Sequence, residues 1–392
     1  MESFYRTHSY LVEHTKAPVR RLLMDEIDWS HRLIGIKGTR GVGKTTFLLQ
    51  YAKEYYGDSR GCLYINMNNF YFASHTLLEF AQEFVSRGGR VLLIDQVFKY
   101  PHWSEVILEC YKKLPTLQIV FTGSSVMRLK QENHQLGGIV KSYNLRGFSF
   151  REYLNLKTGK NLPPLTLSDI LERHEEIARE YCVITNPLNH LQDYIHHGFY
   201  PFHLEKRNFS ENLLKVMNMM IEVDILLIKQ IELKYLPKIK QLFYLLGTSP
   251  SNATNISQLA KEIQTSRATV MNYLKYLTDA RLINMVYKVG EEFPKKPTKV
   301  LLHNSNMNYV LYPRRNDEQE IIETFFMNSM MKDHTVNLGD RHSTFIVDSR
   351  LPFKLSTVPE KRKKRDNITY VESNRLVGKD NVIPLWLFGF LY

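Results

Sequence analysis

Three short stretches carry residues whose types and spacing could do chemistry on a phosphate group. The first fits the pattern G-x-x-x-x-G-K-[ST] and runs from Gly38 to Thr45. In this pattern the glycines let backbone N–H groups curl around phosphate oxygens, the lysine reaches the β- and γ-phosphates, and the hydroxyl holds Mg²⁺. We predict nucleotide binding by nine consecutive residues: Gly38, Thr39, Arg40, Gly41, Val42, Gly43, Lys44, Thr45 and Thr46.

The second stretch, Val91–Asp95, is an apolar strand pattern that ends in a carboxylate. An aspartate in this position orients the coordination shell of Mg²⁺ in P-loop proteins. Many buried strands also end in aspartate for structural reasons alone. The preceding phosphate loop favours the metal role, so we predict that Thr45 and Asp95 hold Mg²⁺ beside ATP.

The third stretch places hydroxyl groups at the end of another apolar run, Gln118–Phe121. A polar side chain there can contact the γ-phosphate or the attacking water, and turn chemistry alone is the alternative. We therefore predict four candidates for a catalytic role: Lys44, Asp95, Gln96 and Thr122.

These residues need a parallel α/β sheet to bring them together. Arg32–Ile36 reads as a buried strand entering the loop, and apolar residues recur at helical spacing after it. Cys62–Asn66 then predicts a further strand, followed by a helical stretch from His75 to Arg87. This extra strand between loop and carboxylate is the arrangement of the additional-strand class of P-loop ATPases, which includes AAA+ ATPases.

The residue after the strand-end aspartate departs from that class, in which it is normally a glutamate that polarises the attacking water. Here it is Gln96. An amide can orient a water molecule but cannot accept its proton, and losing a general base typically costs ~10²- to 10⁴-fold in rate. We therefore expect the chain to bind ATP better than it hydrolyses ATP.

Six motifs spread over nearly the whole chain carry a family resemblance: Ile36–Thr46, Asp95–Trp103, Phe121–Ser125, Phe148–Glu152, His197–Pro201 and Ile383–Gly389. Through them the chain resembles bacterial and archaeal AAA-like ATPases that join an N-terminal P-loop domain to a C-terminal domain of unknown function. That family usually carries an arginine pair just before its fifth strand, whereas this chain has Gln135–Ile139 there. Arg128 and Arg146 are the nearby candidates for an arginine finger.

The expected fold class is α/β, with a parallel-sheet ATPase domain, a helical and winged-helix middle and a small α/β C-terminal domain. The segments are 1–160, 161–245, 246–297 and 298–392. Within the helical segment, Glu222 and Asp224 could be taken for a catalytic carboxylate pair. Residues two apart lie on different sides of a helix, so we interpret them as solvated or salt-bridged.

The third segment resembles a winged helix-turn-helix. Ile256–Ile263 and Arg267–Thr278 carry apolar residues at helical spacing, and Leu282–Lys288 reads as a wing strand. Five residues of the second helix and the turn before it are candidates for contacts with duplex DNA: Thr265, Arg267, Thr269, Asn272 and Lys275. The alternative is that the winged helix serves only for packing or protein contact.

From Thr298 the last segment alternates strand and helix patterns: Lys299–His303, Ile321–Met331 and Thr344–Val347. In some members of the families that the chain resembles, the C-terminal domain is similar to restriction-endonuclease folds. A nuclease metal site needs an aspartate and then a carboxylate-x-lysine on the next strand. Asp348 could supply the first, but Lys354 stands where the second acidic ligand would be needed, which argues against a nuclease. We interpret the basic run 361–365 as a solvated or phosphate-contacting loop, and Ile383–Tyr392 as a buried strand.

Composition narrows the class of protein and its partners. The 392 residues, 43% hydrophobic and 23% charged, suit a soluble chain of two or three domains, and the net charge of +12 favours an acidic partner such as nucleic acid. Three scattered cysteines indicate neither a disulfide framework nor a zinc site. We expect a cytoplasmic protein without a membrane segment, possessing a protein partner or forming a homo-oligomer.

Two further functions compete with a nucleotide-dependent switch. One is a DNA-binding or scaffolding protein whose nucleotide is structural and permanently bound. The other is a nuclease gated by ATP, which Lys354 disfavours. The rate of nucleotide release separates the switch from the scaffold, and cleavage of supercoiled plasmid with Mg²⁺ or Mn²⁺ would reveal the nuclease.

Overall fold

The computed structural model describes residues 1–127, 133–205, 208–248, 254–313, 317–358 and 367–392. They form two compact units, Met1–Gly147 and Phe148–Tyr392. The helix that begins at Phe150 buries Phe150, Tyr153 and Leu154 in the core of the second unit. The first compact unit therefore ends before residue 160, and the division into four segments stays a prediction.

The first unit is built on a parallel sheet of five strands in the order β2-β3-β4-β1-β5. Its strands are β1 (Leu33–Gly38), β2 (Cys62–Asn66), β3 (Val91–Asp95), β4 (Gln118–Ser124) and β5 (Lys141–Asn144). The first four are almost wholly buried, as expected where helices cover both faces of a parallel sheet. The sheet brings the carboxyl ends of β1, β3 and β4 to one edge.

Helices connect these strands and precede them. They are α1 (Glu2–His14), α2 (Leu23–Glu26), α3 (Lys44–Tyr55), α4 (Leu77–Ser86), α5 (Trp103–Lys113) and α6 (His134–Ile139). Helix α4 starts with a reciprocal capping box between Thr76 and Glu79, which satisfies two backbone donors at its first turn. The extra strand and helix expected between the loop and the carboxylate strand are β2 and α4.

The second unit begins with a helical region. Its helices are α7 (Phe150–Thr158), α8 (Leu167–Ile184), α9 (Leu188–Asp193), α10 (Phe209–Met219), α11 (Leu226–Lys229) and α12 (Leu236–Thr248). Short π-helical stretches at Tyr194–Gly198 and Met220–Ile225 interrupt the pattern. Among the described residues, no helix is long and apolar enough to span a bilayer.

The π-helical stretch at Met220–Ile225 changes the interpretation of the carboxylate pair in it. Glu222 is exposed enough to pair with Lys240, as expected. Asp224, in contrast, is only 2% exposed, which excludes the solvated alternative for it and leaves the salt-bridged one as a prediction. The wider turn of a π-helix shifts the residues after it around the helix, which a pattern based on 3.6 residues per turn does not capture.

A pair of helices and a two-stranded ribbon follow. The helices are α13 (Ile256–Glu262) and α14 (Arg267–Asp279), and β6 (Ile283–Val286) pairs antiparallel with β7 (Lys299–Leu302). The sequence pattern had counted Lys299–His303 as the first strand of the C-terminal segment. The pairing instead joins this strand to β6, so the boundary expected at 297 falls within the ribbon.

The remaining chain forms a mixed sheet in the order β12-β11-β10-β9-β8, preceded by α15 (Ser305–Leu311) and α16 (Glu318–Met330). Its strands are β8 (Val336–Leu338), β9 (Phe345–Val347), β10 (Leu351–Ser356), β11 (Thr369–Glu372) and β12 (Val382–Pro384). The basic run 361–365 lies outside the described residues.

The end of the chain is buried, but mostly not as a strand. Strand β12 stops at Pro384, and Leu385–Phe390 forms a 3₁₀ helix. Trp386 and Phe388 are fully buried in the core of the second unit, where Phe388 packs edge-on against Phe326 of α16. A short apolar run looks the same in sequence whether it is a buried strand or a buried helix, so the strand expectation was wrong for most of this segment.

Candidate nucleotide-binding site

The backbone between β1 and α3 forms a concave loop suited to phosphate. Gly41 and Gly43 have φ of 79° and 92°, in the left-handed region that glycine adopts without a steric penalty. Gly43 directly precedes the first turn of the twelve-residue helix α3. The positive end of the helix dipole therefore lies at the loop. The N–H groups of the first helical turn and the positive end of that dipole make this a position where an anion binds favourably.

Gly38 is required by a close approach of another chain segment. A Cβ atom at this position would lie 2.5 Å from the carbonyl oxygen of Leu145 and 3.2 Å from Cγ2 of Val42. The first neighbour is backbone, which cannot move aside cheaply. The loop therefore starts against the segment that follows β5.

We expect Gly38→Ala to lower the free energy of unfolding by about 1–3 kcal/mol, because the added methyl overpacks the loop against Leu145. Gly138→Ala is the matched control, since nothing lies within 4 Å of a Cβ there and the residue is in helix α6. The control should be neutral or stabilising by up to ~1 kcal/mol. Urea unfolding followed by circular dichroism measures both, and equal stabilities would contradict the expected clash.

Lys44 lies at the mouth of the loop. Its Nζ donates to the carbonyl oxygens of Gly38, at 2.9 Å, and Thr39, at 2.7 Å. The ammonium is thus held by backbone oxygens of the same loop whose N–H groups would face phosphate. Phosphate oxygens would replace these carbonyls as stronger, charged acceptors.

Asp95 collects hydrogen bonds from three neighbouring elements and is only 1% exposed. Its Oδ2 accepts from the Thr45 hydroxyl at 2.7 Å, and its Oδ1 accepts from the Thr122 hydroxyl. The hydroxyl of Thr45 and the carboxylate of Asp95 are hard oxygen ligands of the kind that Mg²⁺ prefers. The donor set and the cradle of the loop therefore fit a nucleotide with Mg²⁺.

Gln96 sits beside this carboxylate in a left-handed backbone conformation, with φ of 57°. Its N–H donates to the Thr122 hydroxyl at 2.9 Å. Its Oε1 is buried and has no hydrogen-bond partner among the described residues. A buried acceptor without a donor is costly, so this oxygen is suited to receive a hydrogen bond from a bound molecule.

The structure thus brings Thr45, Asp95, Gln96 and Thr122 into one hydrogen-bonded group. Thr122 accepts from the Gln96 backbone and donates to Asp95, so it links the two residues rather than serving the turn alone. Of the two arginine-finger candidates, the structure describes Arg146, whereas Arg128 lies outside the described residues. The carbonyl of Arg146 accepts from Arg21.

Sequence reasoning missed two donors to Asp95. The Tyr64 hydroxyl and the Asn66 amide donate to Oδ2 at 2.9 and 3.2 Å. Burial first, and then the charge of Asp95, raises the pKa of Tyr64, so its hydroxyl stays a donor. The available signal was register: Asn66 ends β2 directly beside Asp95 at the end of β3, and Tyr64 lies two residues earlier on the same face.

Comparison with known proteins agrees with this geometry for the first unit. Residues 30–154 match a family model described as an AAA domain. They therefore form an AAA domain of the P-loop ATPase class. Residues 188–302 match a second model, described only as a domain of unknown function. The AAA match begins just before β1 and includes the loop, Asp95 and Thr122.

The curated relatives that the chain matches are distant. The uncharacterized protein MJ1637 of Methanocaldococcus jannaschii is 25% identical over 275 residues, and MJ1544 of the same organism is 26% identical over 272 residues. These alignments cover 66% and 64% of this chain, and the chain spans 57% of the length of each relative.

Solved structures of other proteins share less with the chain. AMPPCP-bound DnaA from Aquifex aeolicus is 14% identical with a TM-score of 0.26, over 70% of this chain and 88% of that protein. PCH-2 of C. elegans is 16% identical with a TM-score of 0.25, over 71% and 66%. At such low scores neither likeness assigns a function to the AAA domain.

The nuclease residues do not form a metal site. Asp348 lies at the turn between β9 and β10, where it accepts from the Thr335 N–H at 3.0 Å and pairs with His334 at 2.7 Å. Lys354 lies farther along β10 and lines a cleft with Glu323 and Asp340 instead. Across the described ranges, no three His, Cys, Asp or Glu side chains come together as metal ligands.

The candidate DNA contacts all belong to the second unit. Arg267 and Asn272 are exposed on helix α14. Thr265 is half-buried in the turn before that helix, and the Thr269 hydroxyl bonds to the capping Ser266. Lys275 is half-buried and pairs with Asp279 at 3.1 Å.

Proposed function

We propose that the AAA domain binds ATP or ADP with Mg²⁺ and works as a nucleotide-dependent switch with weak hydrolysis. The observation that carries this proposal is the group formed by Thr45, Asp95, Thr122 and Gln96 beside the phosphate loop. This group contains the two proposed Mg²⁺ ligands, Thr45 and Asp95, and an amide stands where a general base is needed.

Different residues of the site bind the phosphates, orient the metal shell and keep hydrolysis slow. Lys44 and the loop N–H groups hold the phosphates, and Thr45 with Asp95 orients the metal shell. Bound Mg²⁺ supplies charge neutralisation for the β- and γ-phosphates. Gln96 can accept a hydrogen bond from a water molecule at its buried Oε1, but it leaves the proton on that water. Long-lived ATP occupancy follows, which suits a switch.

The rate of nucleotide exchange tests the switch against a scaffold with a structural nucleotide. Stopped-flow release of a fluorescent ADP analogue, chased with excess unlabelled ATP, gives the off-rate directly. A switch requires complete exchange and a change in assembly or DNA affinity between the two nucleotides. Nucleotide that stays on through purification and dialysis would favour the scaffold. Multiple turnover at ~1 s⁻¹ or faster that Lys44→Ala abolishes would contradict weak hydrolysis.

We infer that the second unit contacts the phosphate backbone of duplex DNA through a winged helix. The supporting features are helices α13 and α14, the ribbon of β6 and β7, and the exposed Arg267 at the first position of α14. The net charge of +12 adds long-range attraction to a polyanion. Because Lys275 is held in an ion pair with Asp279, we propose backbone contact rather than reading of base sequence.

Replacement of Arg267 by alanine is expected to weaken binding by the same factor for duplexes of unrelated sequence. It should also lower the magnitude of the slope of log K against log salt concentration by about 1, as the loss of one phosphate contact does. Arg179→Ala is the control, because Arg179 is an exposed arginine of helix α8 paired with Glu175. Fluorescence anisotropy at several salt concentrations measures both variants. Equal slopes for Arg267→Ala and the unchanged protein would exclude this contact.

A further inference from the structure

Arg21 is a buried arginine that lies behind the phosphate loop. It is 7% exposed, and its guanidinium reaches two separate stretches of backbone. Nη1 donates to the carbonyl of Val42 at 3.1 Å, and Nη2 donates to the carbonyls of Arg146 and Gly147 at 2.7 and 3.0 Å. Arg21 thus joins the loop to residues more than one hundred positions later in the chain.

The segment it reaches, Leu145–Gly147, also contacts the other end of the loop. The Leu145 N–H donates to the Lys37 carbonyl at 2.8 Å, which continues the pairing of β5 with β1. The Leu145 carbonyl is the atom that leaves no room for a Cβ on Gly38. This segment is therefore held at the start of the loop by β1 and near its end by Arg21.

The segment Leu145–Gly147 lies where the first unit ends. Gly147 is the last residue of the first unit, so Leu145–Gly147 is the segment through which the chain passes into the second unit. Lys44 donates to the carbonyls of Gly38 and Thr39, and phosphate oxygens would compete for this ammonium, which would let the loop carbonyls reorient. A planar guanidinium bonded to both stretches passes such a change on, because its donors are fixed relative to one another.

We propose that Arg21 is a positioning residue that transmits occupancy of the phosphate loop to Leu145–Gly147. The inference rests on the proposed nucleotide binding and adds the route by which it reaches the exit of the domain. Arg21 acts on the bound nucleotide only through the Val42 backbone. Its effect is therefore on the loop conformation and on the exit segment, not on the chemistry of hydrolysis.

Amide hydrogen exchange of the full-length chain tests the route. In the unchanged protein, saturating Mg²⁺–ADP should slow exchange in the peptide that contains Leu145–Gly147 by about tenfold, within the range of ordinary coupling between sites. Arg21→Lys keeps the charge but has one compact ammonium in place of the planar fork. At saturating nucleotide this variant should lose the slowing in Leu145–Gly147, and its affinity for Mg²⁺–ADP should fall on the order of tenfold.

Arg20→Ala is the matched control. Arg20 is the neighbouring residue, but its guanidinium pairs with Glu54 and, at 2.6 Å, with Asp25 on the surface. This variant should keep both the affinity and the nucleotide-dependent slowing. A merely structural Arg21 would make exchange faster in Arg21→Lys with and without nucleotide, while the change caused by nucleotide would persist.

The outcomes separate this inference from the function on which it rests. An unchanged protein that binds no nucleotide would overturn both. Tight binding without a change in Leu145–Gly147 would overturn the route alone, and this measurement needs no variant to fold. Arg21→Lys that binds nucleotide and keeps the full slowing would overturn the role of Arg21, whereas loss of slowing only in Arg21→Lys supports it.

Discussion

Replacement of Lys44 by alanine is expected to weaken ATP binding by about 10²- to 10³-fold. The ammonium would make charged hydrogen bonds to the β- and γ-phosphates, and hydrogen bonds to charged groups contribute about 1.5–3 kcal/mol each. In the structure Nζ lies at the loop mouth, bonded to the carbonyls of Gly38 and Thr39.

Titration of the protein with a fluorescent ATP analogue in the presence of Mg²⁺ measures the affinity, and thermal unfolding checks that the variant is folded. Lys53→Ala is the control, because Lys53 is on the same helix, in its last turn and exposed. The control should bind as the unchanged protein does. If the affinity of Lys44→Ala for ATP stays within about threefold of that of the unchanged protein, the expected loss of charged hydrogen bonds has not occurred. The phosphate loop is then not part of the nucleotide site.

Gln96→Glu is expected to raise the rate of ATP hydrolysis by ~10²- to 10⁴-fold, since it introduces the missing general base. The two side chains have nearly the same shape, so the left-handed backbone and the bond from the Gln96 N–H to Thr122 should be kept. The carboxylate would stand beside Asp95, and repulsion between the two charges would raise its pKa and improve it as a base. Phosphate release under multiple turnover measures the rate.

Two comparisons make this test decisive. Gln82→Glu, on the exposed side of helix α4, makes the same chemical change away from the site and should leave the rate unchanged. Duplex DNA should be added in parallel, because stimulation by DNA would couple turnover to the second unit. If Gln96→Glu binds ATP but turns over no faster under either condition, an arginine finger or a partner that the assay lacks limits the rate, and the scaffold gains support.

Much of the AAA domain was predictable because its chemistry depends on residues close in sequence. The loop from Gly38 to Thr45 contains its own turn glycines, its lysine and its hydroxyl, and apolar runs mark the strands that flank it. The limits predicted for Cys62–Asn66 and Val91–Asp95 match β2 and β3 residue for residue. Short, buried strands of a parallel sheet are continuous apolar runs, so their boundaries are sharp in sequence.

Prediction failed where the same pattern fits more than one structure. The closing run from Ile383 is apolar on every side because it is buried on every side, and such a run carries no period to distinguish strand from 3₁₀ helix. The solvated alternative for Asp224 rested on counting residues along a regular helix, and the π-helical turn at Met220–Ile225 altered that count. Lys299–Leu302 is strand-like by itself, but only its pairing shows that it belongs to the ribbon with β6.

The sequence by itself determined the phosphate loop, the carboxylate that ends β3 and the amide next to it, because each is encoded by neighbouring residues. Only the tertiary structure decided what surrounds them. Tyr64 and Asn66 reach Asp95 because β2 lies beside β3 in the sheet, and Arg21 reaches Val42 and Gly147 because β5 lies beside β1. Strand order is set by burial across the whole sheet, so contacts between distant residues appear only once the chain is folded.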